Sequence, residues 1–199
     1  MTVLHIAETI KGGVATVLRQ LSDSSLECFF LIPNSQNSSL DTEASKKYRF
    51  KDSGRGLGSI LSLALKGCSV VKLLKPDVIH LHSSFSLLLA PILSLISRRS
   101  KILYQPHGVF YDPNVPRSSW KMLIIKSLER VLVSFVDRVV AISEYEEKLL
   151  INLHGSKKVV LLKNAASPSL VAFDPEEQRL GYLFVGRLDE QKGIDELLK

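Results

Sequence analysis

The amino-acid sequence predicts an α/β fold with a doubly wound parallel sheet, and three observations carry that prediction. Short apolar runs alternate with segments of helical periodicity along most of the 199 residues. The runs are apolar at nearly every position, as in strands covered on both faces, rather than alternating apolar and polar. No hairpin dipeptide joins two of them, so each connection must cross over through a helix.

Val3 to Ala7 reads as a buried strand, and after Gly12-Gly13 the residues Val14, Val17, Leu18 and Leu21 recur at helical spacing. Cys28 to Ile32 is a second strand. Pro33 to Gly58, rich in Ser, Asn and Lys/Arg, reads as an exposed polar loop. Leu57 to Leu74 has a helical pattern that Pro76 stops, Asp77 to His82 is a strand, and residues 84–97 form one apolar helix. Lys101 to Gln105 is the next strand, residues 106–116 a loop with three prolines, Ser118 to Phe135 a helix, and Arg138 to Ile142 a strand. Ser143 and Glu146 then form a capping box for a helix through Leu153, and Val159 to Leu162 is a last strand. Residues 164–180 carry two prolines and few periodic apolar positions and read as an interdomain linker. Tyr182 to Val185 then starts a new strand, followed by a polar turn and a helix from Gly193. Residues 1–163 are thus expected to form one domain and 181–199 the beginning of another.

A hydrophobic content of 45% supplies a packed core and excludes wholesale disorder. The net charge of +6 points to anionic partners: phosphate-bearing metabolites, an acidic membrane surface or nucleic acid. Basic residues are dispersed, with no arginine block, Cys/His finger or aromatic RNA-binding signature, so nucleic acid is not expected as a partner. Cys28 and Cys68 form no disulfide framework and read as reduced, buried thiols. The N-terminus lacks the basic and long apolar regions of a signal peptide, and the stretch Phe85 to Ile96 is shorter than the ~20 residues that span a bilayer, so a cytoplasmic location is expected.

In doubly wound sheets ligands sit at the carboxyl ends of strands, and the polar residues concentrate there. Gly12-Gly13 would let a phosphate or sugar approach a helix N-terminus, or would serve a tight turn; the two readings are compatible. His107-Gly108 and Asp112 place an imidazole, a permissive backbone and a carboxylate on one loop. His80 and His82 are expected to point to opposite faces of their strand and so not to share a metal. With no Asp-x-Asp pair and no zincin spacing, no metal site is expected at all. Ser143-Glu144 lacks a nucleophile elbow, and capping accounts for the serine. Near the C-terminus, Gly186-Arg187 and Lys192-Gly193 make a strand, a basic turn and a helix, which suits a diphosphate. Arg117, Lys121, Lys126 and Arg130 interleave with Trp120, Leu123, Ile124 and Leu128 on a basic amphipathic helix that could rest on anionic lipid.

Together Gly12-Gly13, Asp77-Val78-Ile79-His80-Leu81-His82, His107-Gly108, Ala141-Ile142-Ser143-Glu144-Tyr145 and Val185-Gly186-Arg187-Leu188 with Lys192-Gly193 resemble, in order, a family 4 nucleotide-sugar glycosyltransferase. That retaining family has the GT-B fold of two Rossmann-like domains. The resemblance implies that residues 1–163 are the acceptor-side domain and that 181–199 are the truncated beginning of the donor-binding domain. It implies that His107 contacts the transferred sugar as the catalytic residue, and that Gly12, Gly13, Arg187 and Lys192 bind the donor diphosphate. Gly108, Asp112 and Glu144 would contact sugar or acceptor.

The implied substrates are a nucleotide-sugar donor and a saccharide or lipid-linked saccharide acceptor of bacterial surface polysaccharide synthesis, including lipopolysaccharide. No cofactor and no metal is implied, and the work would be done in the cytoplasm or peripherally at the inner membrane face. Two departures stand out. Lys163-Asn164-Ala165 replaces the usual Pro-Asn-Gly, and the family's paired glutamates have no counterpart before Lys199, so this chain by itself is expected to be inactive. A non-catalytic GT-B half that binds acceptor or regulates, a sugar-nucleotide epimerase and a glucan synthase of the same fold stay open at this level.

Overall fold

The computed structural model describes residues 1–43, 46–52, 54, 56–113, 119–164 and 184. The expected linker and second-domain start therefore lie almost wholly outside the described residues. Among those described, seven strands form one sheet in the order β3-β2-β1-β4-β5-β6-β7. They are β1 (Thr2–Ala7), β2 (Glu27–Pro33), β3 (Lys47–Phe50), β4 (Val78–His82), β5 (Lys101–Gln105), β6 (Arg138–Ala141) and β7 (Val159–Leu161). Every pairing is parallel, as expected.

The order dictates where the helices go. From β1 the chain steps outward to β2 and β3, then returns to pair β4 with β1 and steps outward the other way. Right-handed crossovers in opposite directions place their helices on opposite faces. Helix α1 (Gly13–Ser22) accordingly packs Leu18 with Val3, Cys28, Phe30 and Ile32 on one face. Helices α2 (Leu57–Leu74), α3 (Ser84–Leu87), α4 (Ala90–Ile96), α5 (Ser119–Val133) and α6 (Glu144–His154) take the other. There Leu63, Val70, Leu93, Leu132 and Leu150 pack onto Leu4, Ile79, Leu81, Ile102 and Tyr104.

Two elements differ from expectation. The polar segment 33–58 contains a 3-10 helix (Asn34–Ser39) and the edge strand β3, whose Lys47 and Arg49 mask the apolar beat of Tyr48 and buried Phe50. The single helix at 84–97 is two, because Pro91 sits in the first turn of α4, where its missing N–H costs nothing, rather than in a helix interior.

Two aspartates pin the amino edge. The carboxylate of Asp77 accepts the Thr2 N–H at 2.8 Å while its backbone N–H donates to Thr2 and its carbonyl accepts from Lys101. Asp137 repeats the device, accepting from the Ile102 N–H at 2.9 Å and from Lys101 Nζ at 3.0 Å. Strand register is thus set at the end away from the ligand edge.

Helix α2 meets the sheet at Gly67, where a Cβ would stand 3.1 Å from Leu89 Cδ2 and 3.7 Å from Leu31 Cδ2. Gly67→Val is expected to destabilise the chain by about 1–3 kcal/mol through overpacking, although valine is the better helix former. Urea unfolding checks this, and a gain in stability would show that the contact can relax.

Candidate active site

The direction reverses between β1 and β4, so their carboxyl ends open the crevice where ligands of such sheets bind. Register aligns Ala7 with His82 and His82 with Gln105, which brings the turns after β1, β4 and β5 out along one edge. Each turn uses backbone that L-residues rarely adopt: Gly12 at φ 62°, Ser83 at φ 81° and His107 at φ 56°, the last followed by Gly108 at φ 130°. Positive φ at Ser83 and His107 is strain, and strain of this kind gathers where geometry serves function.

Gly12 is required by its backbone, with ψ −133° at the N-cap of α1. Gly13 has neither a positive φ nor a neighbour that a Cβ would meet within 4 Å. Both glycines are exposed, and α1 starts without a side-chain cap or an acidic first turn, so the turn is open to an anion. Gln36, from the 3-10 helix that sequence reasoning missed, holds the approach by accepting the Ile10 N–H at 2.8 Å.

Across the adjacent strands runs a chain of imidazoles. His80 and His82 share a face, contrary to expectation, because residues two apart on a strand point the same way. Their ring centroids are 4.0 Å apart, with His5 5.3 to 5.4 Å from each. His5 Nδ1 lies 3.1 Å from His82 Nε2, and His82 Nδ1 lies 2.8 Å from His107 Nε2. The predicted site residue His107 is thus held by buried His82, which buried His5 holds in turn. Among the described residues, His5, His80 and His82 are the one group whose nitrogens could meet at a metal, all within 4.8 Å. Two of those nitrogens already bond each other.

Burial pushes the His5 imidazole down to about 3 and that of His107 down to about 4. Burial, reinforced by the neighbouring rings, holds His80 and His82 well below their usual range. All four are therefore neutral near pH 7. A neutral imidazole donates one hydrogen bond, so the protons along His5, His82 and His107 must run in one direction. His5 Nε2 is buried without a partner. An orphaned N–H there costs more than an orphaned lone pair, so His5 Nδ1 donates to His82 and His82 Nδ1 donates to His107 Nε2. The proton of His107 is then on Nδ1.

The loop after β5 is anchored twice. Glu146 Oε1 accepts from the Gly108 N–H at 3.2 Å and Oε2 from the Ile142 N–H at 2.8 Å. Ser143 caps α6 through Glu146 N as expected, but the glutamate has left the capping box to hold the loop. Tyr111 is buried, and its hydroxyl donates to Glu129 Oε1 at 3.2 Å. Asp112 accepts from the Tyr145 hydroxyl at 2.7 Å, which ties it to α6. Glu144 is exposed and pairs with Lys163 at 2.8 Å. Arg187 and Lys192 lie outside the described residues. Period two along β4 was the signal that could have found the histidine chain; the second role of Glu146 had none.

Two outcomes test this geometry. Below pH 6.5 unfolded histidines bind protons that folded His5 refuses down to about pH 3. Stability should therefore fall with pH across that window, by about 1.4 kcal/mol per pH unit for each such ring. Urea midpoints at pH 7 and pH 5 measure the slope, and His5→Gln should flatten it by one ring's share. Glu146→Ala, which strands two N–H groups, is expected to cost about 2–4 kcal/mol and to raise amide exchange at Gly108.

The comparisons with known proteins agree with one another. A family model for Glycosyltransferase Family 4 matches residues 11–170. An uncharacterised 41.2 kDa protein in the cps region of Klebsiella pneumoniae is 35% identical over all of this chain and 59% of its own length. The chain thus spans about three-fifths of that relative. Anabaena HepE, solved in complex with UDP-glucose, superposes with TM-score 0.62 at 18% identity, covering 84% of this chain and 47% of its own. Sucrose-phosphate synthase of Thermosynechococcus elongatus gives 0.64 at 12% identity, over 82% and 48%. UDP-N-acetylglucosamine 2-epimerase of Rickettsia bellii gives 0.59 at 13%, over 82% and 45%. The family model's match spans the Gly12 turn, β4 with His80 and His82, and the loop of His107, and on that extent the chain belongs to Glycosyltransferase Family 4, with the Rossmann-like parallel sheet of GT-B glycosyltransferases.

Proposed function

We propose that the protein to which this chain belongs transfers a hexosyl group from a nucleotide sugar to a saccharide or lipid-linked saccharide acceptor, with retention and without a metal, in surface polysaccharide synthesis. The observation that carries the reading is the tethering of His107 at the switch-point crevice by His82 and His5. A neutral ring with its proton on Nδ1 offers a hydrogen-bond donor to a sugar oxygen and keeps no positive charge beside the cationic sugar of the transition state. The open Gly12-Gly13 turn supports contact with a phosphate or sugar at the N-terminus of α1. Arg187 and Lys192 are proposed from their motif to stabilise the leaving diphosphate. The UDP and UDP-glucose complexes of HepE support a uridine nucleotide donor, and the cps-region relative supports the polysaccharide pathway.

Assayed alone with UDP-glucose, the chain is expected to give no turnover. Extended through a donor-binding half, it should transfer sugar. In that longer protein His107→Ala should lower kcat by about a hundredfold or more, as loss of a transition-state donor does, with KM little changed. His82→Phe should lower kcat by about tenfold, by releasing the ring. Transfer that survives both substitutions would rule out the assigned site.

A further inference from the structure

The carboxyl edge of the sheet holds a second concavity, on the side of β1 where β2 and β3 lie rather than the side of β5 and His107. It is a pocket of about 380 Å³. Its walls are Glu8, Thr9 and Lys11 from the loop after β1, Gln36 from the 3-10 helix, Phe50 at the end of β3 and Asp52 just beyond. One of these walls belongs to the crevice as well, because the Glu8 N–H donates to Ser86 Oγ of α3 at 3.2 Å. Lys11 leads directly into the Gly12 turn.

Three of the polar groups are held by bonds that decide what they can offer a ligand. Gln36 Oε1 accepts the Ile10 N–H at 2.8 Å and the Thr9 hydroxyl at 3.3 Å. Only the oxygen of an amide can meet a backbone N–H, so the Gln36 side chain has one orientation and its Nε2 is left to donate. Thr9, having given its proton to Gln36, can only accept. Asp52 accepts the Ser35 N–H at 3.0 Å and the Ser35 hydroxyl, and its remaining lone pairs also only accept.

The pocket therefore sets fixed donors and fixed acceptors side by side, with the carbon of Phe50 among them. An apolar group would strip water from these atoms without replacing it. A phosphate only accepts; it would suit Gln36 and Lys11 but be opposed by Thr9 and Asp52. Hydroxyls on adjacent ring carbons each donate and accept, and they satisfy both kinds of group at once.

We propose that this pocket seats a sugar ring of the acceptor, with Gln36 Nε2 donating to one hydroxyl and Thr9 and Asp52 accepting from others. The ring's part in the reaction rests on the transferase reading; its binding does not. An acceptor recognised through ring hydroxyls is a saccharide already begun, so a transfer that lays down a first sugar must precede this one.

Titration of the isotope-labelled 199-residue chain with methyl glycosides of glucose, galactose, mannose and N-acetylglucosamine tests the site by NMR, without donor or turnover. At least one glycoside is expected to shift the amides of Thr9, Ile10 and Gln36. Gln36→Glu keeps the oxygen that Ile10 needs but replaces the donor with an acceptor, and should weaken binding by about tenfold or more. Thr9→Val should weaken it by about threefold or more, and carries the test if Gln36→Glu fails to fold. In a protein extended through a donor-binding half, Gln36→Glu should raise the acceptor KM by about tenfold and leave the donor KM little changed. Glycoside binding without any transfer in that longer protein would remove the transferase reading and keep the pocket. Transfer that His107→Ala abolishes and Gln36→Glu leaves unaltered would do the reverse. Lack of amide shifts with all four glycosides overturns the proposal, as does binding that both variants retain. Shifts of the same amides by UMP in place of the glycosides would overturn it too, giving the pocket to the donor.

Discussion

The pairing of β4 with β1 is the constraint on which the rest depends. The chain has already laid β2 and β3 on one side of β1, so its return to the other side fixes three things together. It opens the crevice at the carboxyl edge, it assigns α1 to one face and α2 through α6 to the other, and it sets His5 beside His80 and His82. A slip of one residue would send every side chain of β4 to the opposite face. Leu81 and Ile79 would leave the core, and His107 would lose its tether.

That tether is costly. Three imidazoles are buried in the sheet, and two of their nitrogens are left without partners. Apolar residues at these positions would pack with less desolvation penalty. The arrangement is intelligible if what it supplies is the orientation and proton placement of the fourth ring rather than stability. Ser83 and His107, two of the three non-glycine residues at positive φ among those described, add backbone strain at the same edge.

Much of the fold was legible because apolar runs and helical periods are local signals. The bounds of α2 and the alternation of strands and helices follow from residue spacing alone, and the turn of Gly12 and the loop of His107 fall where strand ends demand. What escaped detection was long-range or compound. Strand β3 was hidden because an edge strand alternates charged and aromatic residues, and β4 was misread because its period was misapplied at His80 and His82. No local pattern reveals that Glu146 would trade half of a capping box for the Gly108 N–H, since that bond joins residues 38 positions apart. Arg187 and Lys192, the most specific part of the resemblance, lie where the structure describes nothing.

The aspartate pins at the amino edge have a consequence for how such a domain can change. Asp77 holds β1 and β5, and Asp137 holds β5, from the end opposite the crevice. Segments leaving the carboxyl ends can therefore lengthen, shorten or be exchanged while the strands beneath keep their alignment. Inheritance of the frame is separated from diversification of the rim, and a lineage can vary its ligand edge without refolding its scaffold.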